Sequence, residues 1–175
     1  MVVAFYLLVA LFAFIGSMRG WGKEVLVSFS VILALALISV IEDLLPYTKE
    51  LYQGDALVQF WVRSSILLLL VFFGYQSPKL SQLSKASEKR DRVQDLILGF
   101  IFGAINGYLI FGTLWFFMHE ANYPFTPHIT SPETDPVTRE VAYRLLGAFP
   151  PALLTSFWIY VAVVLAFIFV MVVFI

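Results

Sequence analysis

The side chains that could do chemistry are few. The chain contains no cysteine. That excludes disulfides, thiolate nucleophiles, iron–sulfur clusters and CxxCH haem attachment. His119 and His128 are the only histidines. His119, at the end of an apolar run, is the one alternative cofactor ligand, as a single axial partner to haem or chlorophyll. A transmembrane bis-histidine site needs two histidines on facing helices at matched depth, and these two stand on either side of a proline-rich turn. The sequence therefore predicts no cofactor. No G-x-S-x-G, H-E-x-x-H, P-loop or G-x-G-x-x-G pattern occurs, so neither a catalytic residue nor a metal ligand set is expected and the chain reads as a non-enzyme. Arg63 is the remaining group of interest, because an arginine inside an apolar run is a functional candidate by default. Near a helix end it can snorkel to the headgroups or pair with a carboxylate, and Glu42 and Asp43 are the candidates. An ion pair or snorkelling is expected ahead of a gating or substrate-binding role.

A second pattern concerns packing. Asp95 to Gly107 read D-L-I-L-G-F-I-F-G-A-I-N-G, with Gly99, Gly103 and Gly107 four apart. Glycine inside a helix costs about 1 kcal/mol relative to alanine. In lipid, close backbone approach is a main source of helix association. At about 100° per residue, Asp95, Asn106 and Thr113 fall within about 40° of Gly99. The ridge is thus small and mildly polar, with Asn106 available for an interhelical hydrogen bond typically worth about 0.6–2 kcal/mol. A polar path for a small solute or proton is the alternative. In the second apolar run, Glu24, Ser28, Leu35, Ser39 and Glu42 share one side. Glu24 opens that helix, where a carboxylate suits the positive end of the dipole. This small serine stripe makes the second helix the expected partner of the glycine ridge.

These residues require a membrane to position them. The 175-residue chain is 61% hydrophobic with a mean hydropathy of +0.89 and only 13% charged residues, well above the apolar share of a soluble domain. Five spans are expected, at 1–17, 24–42, 57–75, 95–118 and 151–175. The first lacks the basic flank and the A-x-A site of a secretory signal and reads as a retained helix, short for a hydrocarbon core of about 30 Å. The fold class is all-α and polytopic. Arg19 and Lys23 lie in one connection, and Lys79, Lys85, Lys89, Arg90 and Arg92 in the next but one. The other two connections are rich in acids. The positive-inside rule then places the N-terminus outside and the C-terminus in the cytoplasm. The basic stretch at 79–92 is expected to touch anionic lipid. A net charge of −1 gives no reason to expect nucleic acid.

The connections carry local signals. Pro46 to Gln53 suggests a short interfacial helix, with Asp55 capping the third span. Four prolines between 119 and 136 argue for an irregular outer loop. Asp135-Pro136 reads as an N-cap followed by proline at the first helical position. Val137, Val141 and Leu145 then form the apolar stripe of a short amphipathic helix ending near Gly147, expected on the outer membrane surface. The chain so divides into a four-helix core at 1–118, an outer loop with an amphipathic helix at 119–150, and a last span at 151–175.

Two segments together resemble the colicin V production protein family of small bacterial inner-membrane proteins. One is R-G-W-G-K-E-V-L, carrying Arg19, Gly20 and Glu24. The other is the run from Asp95 through the three glycines. Many members carry a basic residue just before the third glycine, where this chain has Asn106. The resemblance covers roughly residues 1–118 and implies a multi-pass protein of the bacterial cytoplasmic membrane that supports export or envelope function. Its expected partners are the lipid bilayer and other membrane subunits. An alternative reading is an accessory subunit of a respiratory or photosynthetic complex, suggested by 18 phenylalanines, eight tyrosines and four tryptophans. A further alternative is a small channel or carrier, which would need a continuous polar path.

Overall fold

The structure is a computed structural model that describes residues 1–44, 55–76, 92–134 and 136–174. Its helices are α1 (Val2–Arg19), α2 (Trp21–Leu44), α3 (Ala56–Tyr75), α4 (Arg92–Glu120), α5 (Arg139–Ala148), α6 (Pro150–Leu153) and α7 (Ser156–Phe174), and no strand occurs among the described residues. Helices α1 to α4 are each long and apolar enough to cross a membrane. The expected interfacial helix at 46–53 and most of the basic connection lie outside the described residues. Asp55 caps α3 as anticipated, its carboxylate accepting the Leu57 amide at 2.8 Å.

Contacts along α4 set the register of the bundle. Helix α1 runs antiparallel to it, with Gly20 beside Asp95, Gly16 against Gly99 and Gly103, Val9 against Gly107, and the Phe5 ring 5.8 Å from that of Trp115. Helix α2 runs parallel to α4. Ser28 meets Asn106. Equal steps along both helices then lead to Glu42 and Glu120, which share Arg63. Helix α3 is antiparallel again, its Gly74 resting on Ser30 and Val27 near the start of α2. Between α2, α3 and α4 lies an apolar core that includes Val27, Val31, Leu35, Leu67 and Ile110. Lipid is as apolar as these side chains, so close packing rather than escape from water holds them together.

The glycine ridge meets α1 and not α2. A Cβ added at Gly99 would lie 2.4 Å from the Gly16 carbonyl oxygen, and one at Gly103 would lie 2.3 Å from that of Phe12. The expectation of an α2 partner fails for a geometric reason. Helix α2 carries serines at the right spacing, but α1 presents its backbone at Val9, Phe12 and Gly16 directly to the three glycines, with Gly16 a glycine of its own against Gly99 and Gly103.

The segment after the outer loop also differs from expectation. Helix α5 begins at Arg139 with Thr138 as its N-cap, so Pro136 and Val137 lie in a turn rather than at the first helical positions. Its buried residues are Ala142 and Leu146, while Val137 is 86% exposed. The inward face is therefore offset from the Val137, Val141, Leu145 stripe. Helix α5 also descends along α4: the Tyr143 ring lies 6.0 Å from His119, and Phe149 packs over Gly112. The expected span at 151–175 is interrupted. Pro150 and Pro151 open the four-residue α6, the helix breaks at Leu154 and Thr155, and α7 follows. Phe149 is fully buried among Phe5, Tyr108 and Trp115 and fastens this segment to the bundle. The Tyr108 hydroxyl donates to the Ala148 carbonyl.

Candidate functional site

The α1–α2 turn gathers the polar residues of both sequence motifs. Gly20 has φ +85, a left-handed conformation that side chains with a Cβ rarely adopt. A Cβ there would also lie 3.0 Å from the Asp95 carboxylate. The sharp reversal brings Arg19 and Glu24 together although one ends α1 and the other opens α2. Arg19 Nη1 donates to Glu24 Oε1 at 2.7 Å, and Arg19 Nη2 donates to the Tyr75 carbonyl at the end of α3 at 3.2 Å. The guanidinium carbon lies 4.2 Å from the centre of the Tyr75 ring, within cation–π range.

Helix α4 completes the site from the other side. Asn106 Nδ2 donates to Glu24 Oε2 at 2.7 Å and to the Glu24 carbonyl at 2.8 Å. Ser28 Oγ donates to Asn106 Oδ1 at 2.6 Å. Glu24 is 0% exposed, and the Arg19 side chain 22%. Burying an ion pair is tolerable only when its remaining lone pairs and protons are satisfied, and here both carboxylate oxygens have charged or amide donors. The network ties α1, α2, α3 and α4 through one carboxylate.

Depth follows from the register. Asn106 lies about 21 Å from Glu120 along α4, at about 1.5 Å per residue. At the Glu120 end, Arg63 Nε donates to Glu42 Oε1 at 2.6 Å, and Arg63 Nη1 donates to Glu120. Exposed Trp61 lies two residues nearer the start of α3. Asn106 and Glu24 thus sit on the far side of the apolar core from the Arg63 cluster.

The structure thus distributes the sequence-read residues over two clusters. Arg19, Gly20, Glu24, Asp95 and Asn106 converge near one end. Gly99, Gly103 and Gly107 form the adjoining α1 contact. Arg63 and Glu42 pair near the other end, while Asp43 accepts from Ser39 at 3.2 Å instead of joining them. Glu120 is the missed third member. It closes the apolar run and reads as a loop acid until the register of α3 is known. Gly16 and Tyr75 were also missed. For Gly16 the Gly16-Ser17 pair late in the first run was the available signal. Tyr75 enters mainly through its carbonyl, which no sequence pattern reveals.

The two histidines are apart: His119 packs edge-on to Tyr123 and Tyr143, and His128 is exposed. Among the described residues no group of three His, Cys, Asp or Glu is placed to hold a metal ion.

Comparison with known proteins adds one result. The model of the family described as colicin V production protein matches residues 3–132, more than half of the chain. No curated protein and no solved structure matches. The match takes in α1 to α4 and stops before α5. The chain belongs to the colicin V production protein family.

Proposed function

We propose that this family member is a non-enzymatic, multi-pass protein of the bacterial cytoplasmic membrane. In this reading it supports export or envelope function through a helix bundle locked at the α1–α2 turn. The N-terminus lies outside and the C-terminus inside. Other membrane subunits are its partners. The observation that carries the reading is the fully buried Glu24 carboxylate, held by Arg19 from α1 and Asn106 from α4. A fully buried carboxylate with an internal donor on each oxygen suits a structural clasp better than a substrate site. The three glycines then hold the α1–α2 hairpin against α4 beside the clasp.

A carrier reading is less well supported. Between Asn106 and Glu120 the bundle interior is filled by Val31, Leu35, Leu67, Ile110 and Phe117. Ser64 and Thr113 are buried there with unpartnered hydroxyls, too few for a continuous polar path. The accessory-subunit reading shares the clasp and differs only in the partner.

The test is complementation in a bacterium lacking the gene, under an envelope or export challenge, with liposome flux measured in parallel. Wild type should restore resistance, Glu24→Gln should fail to, and purified protein should move no solute. Solute flux that depends on Asn106 would overturn the reading in favour of a carrier. Full complementation by Glu24→Gln would remove the clasp from the function.

A further inference from the structure

Helix α5 stands along α4 rather than lying across its end. The Tyr143 ring packs 6.0 Å from His119, and Phe149 packs over Gly112. These contacts span about 9 Å of α5 and about 10 Å of α4, at about 1.5 Å per residue. The apolar run of α4 ends at Met118, and His119, Glu120 and the proline-rich loop follow. On the membrane reading, the first turns of α5 therefore lie at headgroup level.

The outward face of α5 is charged at that level. At about 100° per residue, Glu140 and Arg144 point away from the buried Ala142 and Leu146. Their side chains are 77% and 79% exposed. Arg144 Nη2 donates to Glu140 Oε1 at 2.6 Å, which leaves further guanidinium donors and the second carboxylate oxygen open. Arg139 is exposed on the adjoining row and makes no ion pair among the described residues. A groove of about 530 Å³ lies between the two rows, lined by Pro136, Arg139, Glu140, Tyr143 and Arg144. The Tyr143 hydroxyl donates to Glu133 at 2.8 Å. Two arginines and two glutamates thus surround the groove. A purely anionic ligand calls for a surplus of cations, whereas this balance suits a ligand that carries both signs.

We propose that the α5 groove binds the headgroup of a zwitterionic phospholipid with a primary ammonium. Its phosphate lies on Arg139 and Arg144, whose planar forks match phosphate oxygens. Its ammonium lies on the second oxygen of Glu140. One turn deeper on the same face come Gly147 and Ala148, and a Cβ added at Gly147 meets nothing within 4 Å. That space admits the glycerol and the start of the acyl chains. An exposed i,i+4 pair adds little to the stability of a helix, so Arg144 and Glu140 are free to serve a ligand.

Native mass spectrometry of the full-length protein, delipidated in mild detergent and titrated with one lipid at a time, tests this. The probes are phosphatidylethanolamine, phosphatidylcholine and phosphatidylglycerol with identical acyl chains. The first site should take phosphatidylethanolamine at least about fivefold more tightly than the other two, because only its ammonium gives charge-assisted hydrogen bonds to Glu140. Glu140→Gln should bring phosphatidylethanolamine down to the level of phosphatidylcholine. Arg139→Gln/Arg144→Gln should weaken all three lipids, and Arg92→Gln, at the other end of α4, should change nothing. Equal affinities in the wild type, tighter phosphatidylglycerol, a preference that survives Glu140→Gln, or equal sensitivity to Arg92→Gln would overturn the proposal. The wild-type comparison needs no variant to fold. The inference rests on the membrane reading of the chain and not on the Glu24 clasp, so either can fail alone.

Discussion

Glu24 is the residue on which most of the polar architecture depends. Removing one partner of a buried ion pair strands the other charge, which typically costs about 3–5 kcal/mol, whereas replacing both by apolar residues is often near neutral. Glu24→Gln should therefore lower the thermal midpoint in lipid nanodiscs well below that of Arg19→Met/Glu24→Gln, as read by the loss of folded protein on heating. Equal midpoints would show that Arg19 is not stranded and the pair is not a unit. The sequence made both residues visible as members of a motif, but their pairing was not legible. Arg19 reads as a topology signal and Glu24 as a helix-start acid, because the positive φ of Gly20 that joins them is a property of the turn. Arg63 was more legible, since an arginine in an apolar run must find a partner. Glu42 lay within reach in the sequence, and Glu120 did not.

At the scale of elements, the α1–α4 contact makes a prediction opposite to helix propensity. In an open helix Gly→Ala is stabilising by up to about 1 kcal/mol. At Gly103 the added Cβ would fall 2.3 Å from the Phe12 carbonyl oxygen, so backbones would have to separate. Gly103→Ala should be destabilising in nanodiscs, and Gly103→Leu more so. Gly147, where an added Cβ meets nothing within 4 Å, should accept alanine with no loss and a gain of a few tenths to about 1 kcal/mol. Thermal midpoints of the two alanine variants give the comparison, and a stabilising Gly103→Ala would contradict the close approach. The four long helices were legible from length and hydropathy alone. The partner of the ridge was not, because serine spacing on α2 and a single glycine on α1 look equally suitable until the register is known. The C-terminal span was misread as continuous because an apolar run does not reveal a break. Pro150 and Pro151 marked its start, while nothing in the apolar run marks the loss of helix at Leu154 and Thr155.

For the whole molecule, orientation follows from charge. The charge asymmetry of the connections predicts that single cysteines at Lys23 and Arg92 react with an impermeant maleimide only after the cytoplasmic face is opened, and one at His128 reacts from outside. The reverse pattern would invert the topology. The fold as a whole was legible in composition, but the convergence of R-G-W-G-K-E with the glycine helix was not, because it depends on how α1 and α2 register on α4. That convergence is the core of the account, and a double-mutant cycle between Glu24→Gln and Asn106→Leu in lipid nanodiscs tests it most directly. Residues in one hydrogen-bond network couple by about 0.5–3 kcal/mol. The account predicts coupling of at least about 1 kcal/mol, with the double variant little worse than Glu24→Gln alone. Additive losses would contradict it, leaving Glu24 and Asn106 as independent buried groups with no shared clasp.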